Sequence, residues 1–327
     1  MSNRAIIVNK LTPFQNRAIV FYNVENLFDT KDNPHTEDND FTPDGYKQWD
    51  ENRYNIKLDK LASVIGLFKT QPLFIGLAEI ENRYVLEDLI QATNHKDYGI
   101  VHFNSPDKRG IDCALLYDTQ AATIIESYTL TIELENDWDF VTRDILCVHA
   151  QLKDDIELYI FVNHWSSRRE GKYETEHKRI AAAKTLRNQI DDILALKTDA
   201  NIVVMGDFND HPDDNSLEHM LRAKEAGHAE EDDLINLLYD EHQEGEGTAV
   251  YRGDWAVLDQ IIISQSIYRA EAGLGIISND AAIIKKDELL FTYHSGDQKP
   301  AATYGGKKYY GGYSDHLPVY IALESTS

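Results

Sequence analysis

Basic charge is scarce in this chain. Its 327 residues carry 32 Lys or Arg against 56 Asp or Glu, a formal net charge of −24. That excludes broad, sequence-independent adhesion to nucleic acid, which draws on clustered basic charge. A phosphorylated ligand stays open, because a few local arginines and a divalent cation can reverse the field inside one cleft. Cysteine is nearly absent. Cys113 and Cys147 sit in separate apolar segments, so two buried thiols are expected; a single bridge is open but unsignalled. No apolar stretch is long enough to cross a bilayer. Residues Met1 to Asn16 lack an apolar h-region and a small-residue cleavage signature. The chain is therefore read either as cytoplasmic or as exported with its signal trimmed. No long Pro/Ser/Gly linker and no repeat period divide it, and 42% hydrophobic residues suffice for a full core. One domain over 1–327 is expected, with 1–17 and 324–327 peripheral.

What is present is a run of apolar segments that end in polar residues. Ala18 to Val24 reads as a strand, and 29–54 as a long polar loop. Leu58, Leu61, Ile65 and Phe68 fall at helical spacing. Leu73 to Ala78 reads as a buried strand and Val85 to Ala92 as a short helix. Strands are expected over Ile111–Tyr117, Ile145–Gln151 and Leu158–Asn163. The clearest helix carries Ile180, Ala183, Ile190, Ile193 and Leu194 on one face. After it come a strand over Ile202–Met205, a short helix over Ser216–Ala223, and strands over Val257–Ser264 and Leu317–Leu323. The acidic patch Glu230 to Asp233 reads as a solvated loop, and the tail from Glu324 as frayed. Early alternation followed by strand-rich sequence points to a mixed α/β sheet system with helices outside.

Seven strand-end pieces carry candidate chemistry. Asn23 and Glu25 share parity in Phe21–Asn26, and hard oxygen ligands suit Mg²⁺ or Mn²⁺; two turn residues would look the same. Glu79 ends a buried strand, where a carboxylate is costly unless paired or cation-bound. Glu81 has the same parity and is an alternative ligand, and either could cap the next helix. Arg109, in Asp107-Lys108-Arg109-Gly110, can meet a phosphate oxygen or merely decorate a hairpin. His164, in Asn163-His164-Trp165-Ser166-Ser167-Arg168-Arg169, can donate to a phosphate or leaving oxygen, with Arg168 and its neighbour holding anionic groups. Asp207 and Asn209 follow the strand Ile202–Met205 as Gly-Asp-Phe-Asn, which suits water activation and phosphate binding as well as a turn. Asp259 lies inside an apolar run and needs a partner. Ser314-Asp315-His316 supplies a histidine for it, since an Asp–His pair fixes tautomer and basicity.

Taken in this order, from Asn23 to His316, the pieces resemble the endonuclease/exonuclease/phosphatase superfamily, the group related to deoxyribonuclease I. The resemblance implies a four-layer α/β sandwich, two mixed β-sheets packed face to face with helices outside. By the same resemblance Glu79 is the principal metal ligand, with Asn23 beside it and Glu25 in the neighbouring acidic position. Asp315 is a ligand for a second or shifted ion. His316 is the catalytic histidine, polarised by Asp259. Asp207 and Asn209 position water and phosphate, His164 contacts the phosphate, and Arg109 and Arg168 contact phosphate or substrate. The proton acceptor stays open between Asp207 and the Asp259–His316 pair. The His164 stretch resembles a bacterial subgroup in which Pro commonly follows Trp; here Ser166 stands in that place.

The implied function is a divalent-metal-dependent phosphoester hydrolase, a phosphodiesterase or nuclease using Mg²⁺ or Mn²⁺. The alternative is a phosphatase or phosphodiesterase for a small-molecule or lipid head-group phosphate, with the Tyr304–Tyr313 segment walling a compact pocket. A non-catalytic binding protein on the same scaffold is a third reading. The partner expected is a phosphoester substrate, with no protein partner.

Overall fold

The computed structural model describes residues 17–68, 71–135, 137–251, 253–277 and 281–326. The reading of residues 1–16 lies outside them. In chain order the first strands are β1 (Arg17–Leu27), β2 (Phe74–Ile80), β3 (Tyr98–His102), β4 (Asp112–Asp118) and β5 (Ala122–Leu130). Then come β6 (Ile145–Leu152), β7 (Glu157–His164), β8 (Ile202–Asp207), β9 (Ala223–Lys224) and β10 (Leu234–Asn236). A hairpin of β11 (Ala249–Tyr251) and β12 (Asp254–Ala256) precedes β13 (Asp259–Ile263), β14 (Leu274–Ile276) and β15 (Ala282–Ile283). Two further hairpins, β16 (Leu290–Thr292) with β17 (Gln298–Pro300) and β18 (Tyr304–Gly305) with β19 (Lys308–Tyr309), lead to β20 (Val319–Ser325). The helices used below are α1 (Glu51–Ile65), α2 (Arg83–Ala92) and α3 (Glu176–Leu196).

Two mixed sheets result. One runs β14-β20-β1-β2-β4-β3, with β15 also on β20; the other runs β5-β6-β7-β8-β13-β10-β9. In the first, β1 and β2 are parallel; in the second, β7 and β8 are parallel. Side-chain alternation explains the layering. Ile19 and Phe21 of β1, and Val203 and Met205 of β8, join one core between the sheets. Val20 and Tyr22 pack instead with Leu58 and Leu61 of α1 and Leu86 and Leu89 of α2. Ile202 and Val204 pack with Ala183, Leu186 and Ile190 of α3. The order of layers is helix, sheet, sheet, helix, the architecture of deoxyribonuclease I-like proteins. No helix among the described residues is long and apolar enough to cross a membrane.

Local chemistry sets the boundaries. Helix α1 starts inside the span read as loop, because Asp50 caps it by accepting from Arg53 N. Asn82, not Glu79 or Glu81, caps α2 through Tyr84 N and Val85 N. The short helix expected at 216–223 is a π-helical turn, Ser216–Leu221, which stops at Arg222 with φ 62°. The tail is not frayed at Glu324: β20 continues to Ser325 and pairs with β14 through Gly275–Glu324 and Leu274–Ser325. In the acidic patch, Asp233 is buried and accepts from Arg222 Nε at 2.7 Å. Both cysteines are free, Cys113 in the inter-sheet core and Cys147 beneath α3.

The sheets approach closely at Gly76. A Cβ there would lie 2.4 Å from Met205 Sδ and 3.3 Å from the Phe21 ring. Gly76→Ala should therefore cost about 1–3 kcal/mol by overpacking, read as a lower urea midpoint at unchanged slope. An unchanged midpoint would contradict this packing.

Candidate active site

The site is built where β7 and β8 end and the antiparallel β13 begins, level with one another. His164 is the cross-strand partner of Asp207, and Asp207 that of Asp259. All three continue the parity of the inter-sheet residues Val162, Met205 and Ile261, so they face the opposite sheet. From that sheet Asn23 continues the parity of Ile19 and Phe21. Its Nδ2 donates to Asp207 Oδ2 at 3.0 Å, joining the two sheets at their mouth. Asn23 Oδ1 accepts from Glu25 N at 3.1 Å.

Glu79 arrives by a different route. Strict alternation would send it toward the helices with Ile75 and Leu77. It instead adopts φ 66°, and the β2–β4 register shifts between Ala78 and Ile80. The bulge turns its carboxylate to the mouth, where it accepts from Asn26 N at 2.8 Å and lies 3.9 Å from His164 Nε2. Asn26 and Glu25 also have φ 52°, so Glu25 leaves the parity it would share with Asn23. Glu81, the alternative ligand, accepts from Asp29 N at 2.6 Å.

Asp207 is the centre. Its Oδ2 lies 3.6 Å from His164 Nε2 and 3.8 Å from His316 Nε2, while Oδ1 accepts from Asn209 N at 3.0 Å. The histidine distances are contacts longer than hydrogen bonds. His316 Nδ1 meets Asp259 Oδ2 at 2.7 Å, and Asp259 is wholly buried. Burial opposes a charge on His316, but Asp259 and then Asp207 outweigh it and hold the ring protonated well above the usual histidine range. His164 behaves oppositely: burial, with Arg143 and Arg109 nearby, drives it well below that range. Burial raises Asp207 to about 7, against the pull of His316. Burial also raises Asp315, again opposed by His316, with Glu79 adding to the rise.

The cleft above these residues has a volume of about 630 Å³. Glu79, Asp207, Asp315 and His316 line it, together with Arg109, Arg169, and Tyr251 and Trp255 of the β11–β12 hairpin. Asn209, at φ 53°, borders it and ties its amide to Trp165 O at 3.0 Å.

Some sequence-stated candidates are not where chemistry needs them. Glu25 accepts from Thr303 N at 2.5 Å and Tyr304 N at 3.1 Å, so its carboxylate anchors a distant loop. Burial and then Asp315 raise it to about 7, with Lys57 opposing. Arg168 borders the cleft, but its guanidinium is forked onto Asp210 at 2.7 Å and onto Asp214. It braces the loop; the exposed Arg169 next to it has no ion pair among the described residues. Tyr304–Tyr313 does not wall the cleft at all.

Two residues went unread in the sequence. Arg143 donates to His164 O at 3.2 Å, Trp165 O at 2.7 Å and Asp107 Oδ2 at 3.0 Å, so it carries the loop behind His164. Lys57 is buried in α1, with Nζ donating to Thr303 Oγ1 at 2.7 Å and Tyr313 O at 2.6 Å. A buried cation inside an otherwise amphipathic helix pattern was the available signal for Lys57. Arg143 had none, since its partners, two backbone carbonyls and the carboxylate of Asp107 in a distant loop, make no local pattern.

With this fold and pole of side chains established, the class of protein follows. The chain belongs to the endonuclease/exonuclease/phosphatase family, whose profile matches residues 18–325. Enzymes so named cut phosphoester bonds. Among curated proteins, Protein angel of Drosophila melanogaster is 23% identical over 237 residues, 68% of this chain and 61% of that protein. The chain thus spans under two thirds of that relative's length. Among solved structures, the human Nocturnin catalytic domain with bound sulfate has a TM-score of 0.59 at 16% identity, covering 96% of this chain and 97% of that one. A humanized D. rerio TDP2 gives 0.58 at 16%, covering 95% and 99%. A Bacteroides thetaiotaomicron mannosyl-6-phosphatase gives 0.55 at 16%, covering 94% and 99%. At such identities the structural likeness concerns the fold.

Arg143→Met should remove about 1–3 kcal/mol of stability, because it takes the nearest cation from the part-buried Asp107 carboxylate and one donor each from the carbonyls of His164 and Trp165. Chemical denaturation measures this, and a loss below about 1 kcal/mol would contradict the bracing role.

Proposed function

We propose that the chain is a divalent-metal-dependent phosphodiesterase or nuclease in which water attacks phosphorus directly. The observation that carries this reading is the meeting of Asp207 with Asn23, His164 and His316 at 3.0, 3.6 and 3.8 Å, from both sheets, at one end of the sandwich.

The donor set fits a hard cation. Glu79 and Asp315 present carboxylates at the same pole, and the charge of one raises the other's proton affinity, a repulsion that a divalent ion would offset. Asn23 Oδ1 keeps one lone pair beside its bond to Glu25 N. Asp207, Asp259 and His316 also lie close enough to hold an ion, with ligand atoms within 4.8 Å of one another. There, however, Asp259 Oδ2 and His316 Nδ1 are committed to each other. Glu79, with Asp315 and Asn23 beside it, is the better ion site. A bound Mg²⁺ or Mn²⁺ supplies charge neutralisation at the phosphoryl group and at the leaving oxygen.

The chain's own groups do the rest. Asp207 orients the attacking water and receives its proton as the new O–P bond forms. His316, aligned by Asp259, donates through Nε2 to a phosphoryl oxygen while the bond to the leaving oxygen breaks. His164 and the Asn209 amide hold other phosphoryl oxygens, and Arg109 offers a cation at the cleft wall. No covalent enzyme intermediate is required. A second reading, a phosphatase or phosphodiesterase for a small phosphorylated molecule, is favoured by the net charge of −24, which offers no basic track for a long polyanion.

Purified protein with Mg²⁺ or Mn²⁺ should hydrolyse bis-p-nitrophenyl phosphate. Plasmid or oligonucleotide cleavage marks the first reading, and turnover confined to small esters the second. His316→Ala and Asp207→Ala should fold normally and lower kcat by about 10²–10⁴; an ordinary rate in either sinks its assignment. Glu79→Gln should raise the Mg²⁺ concentration for half-maximal rate, and a superimposable titration counts against it as the ligand.

A further inference from the structure

We propose that Lys57 is a positioning residue for the Asp315–His316 pair, acting from helix α1 through the carbonyl of Tyr313; this rests on the functional reading above. The reactive pair follows a chain excursion, Tyr304 to Gly312, that carries the β18–β19 hairpin and stands away from the cleft. Such an excursion would leave the next residues free to drift. Lys57 closes it at both ends, because the same ammonium donates to Thr303 Oγ1 before it and to Tyr313 O after it.

The closure is reinforced. Glu25 takes Thr303 N and Tyr304 N, Thr303 O accepts from Tyr310 N at 2.9 Å, and Tyr313 N donates to Ala301 O at 2.6 Å. From Tyr313 onward the chain is held stepwise into the site. Ser314 Oγ donates to Asn23 O at 2.7 Å, His316 N donates back to Ser314 Oγ at 3.1 Å, and His316 Nδ1 meets Asp259. Lys57 is the first link of that sequence and, among the described residues, the only one from a helix.

A buried lysine is an expensive way to bind a hydroxyl and a carbonyl. A neutral donor would serve packing at lower cost. Burial pulls the Lys57 ammonium's proton affinity below the usual lysine value, and Glu25, Asp315 and Glu79 are the acids whose fields oppose that fall. The same ammonium thus sets the backbone before Asp315 and offsets the carboxylates that crowd there.

The test uses the full chain. Lys57→Met should unfold cooperatively yet lose kcat on bis-p-nitrophenyl phosphate by on the order of 10²-fold, the scale of a small misplacement, with KM changed within about twofold. In the metal-free protein the His316 Nδ1–H proton signal, assigned by its loss in His316→Ala, should shift or broaden. Lys308→Met, which removes an exposed cation 4.9 Å from the Tyr310 ring within the excursion, should leave both readouts unchanged. If Lys57→Met does not fold, Lys57→Gln is read on the same two signals. An unmoved His316 signal, or an unaltered kcat, in a folded Lys57 variant overturns the proposal. Inactivity of the parent protein on every phosphoester, with the His316 signal still displaced, would sink the functional reading and support the positioning.

Discussion

Asp207 is a carboxylate with almost no water around it, and the active end of the molecule is organised to tolerate it. Its cost is met by Asn23 from the opposite sheet, by the Asn209 amide and by the nearby His316 charge. Because Asn23 belongs to β1 and Asp207 to β8, that one hydrogen bond makes the site a property of how the sheets face each other. The inter-sheet core behind it, with Phe21 and Met205 meeting over Gly76, sets the separation at which the bond is possible.

Around this bond, regular strand geometry is broken where function needs a side chain turned. Glu79, Glu25, Asn26 and Asn209 all hold left-handed backbone at strand ends, a conformation disfavoured for non-glycine residues. The bulge at Glu79 is the most consequential. Without it a carboxylate would be buried against α1 and α2; with it the same carboxylate comes to 3.9 Å from His164 Nε2. The neighbouring break at Glu25 has the opposite effect and removes an acid from the mouth to anchor residues 303 and 304.

Much of this was legible in the sequence because strands alternate. Asp207 and His164 end apolar runs and Asp259 lies inside one, the parity of each already says that it faces the core, and an Asp inside such a run demands a partner. The pairing with His316 follows from that demand. Parity failed where the backbone left the strand, so Glu25 looked matched with Asn23, and Glu81 interchangeable with Glu79, although these side chains have different partners. Arg168 looked like a substrate contact because its partners, Asp210 and Asp214, lie more than forty residues away and no local pattern announces them. Strand β5 was unread because it is an edge strand with a largely exposed, weakly alternating surface. The Tyr/Gly-rich segment was misplaced for the same reason as Arg168: Lys57 and Glu25, which hold it, are some 250 residues distant.

The claim on which the rest turns is where a divalent ion sits. Anomalous diffraction from crystals of the protein soaked in Mn²⁺ locates it directly. The account predicts a peak at the Glu79 carboxylate, on the side of Asp315 and Asn23, with the Asp259–His316 hydrogen bond intact. A peak between Asp207, Asp259 and His316, with that bond broken, would contradict it.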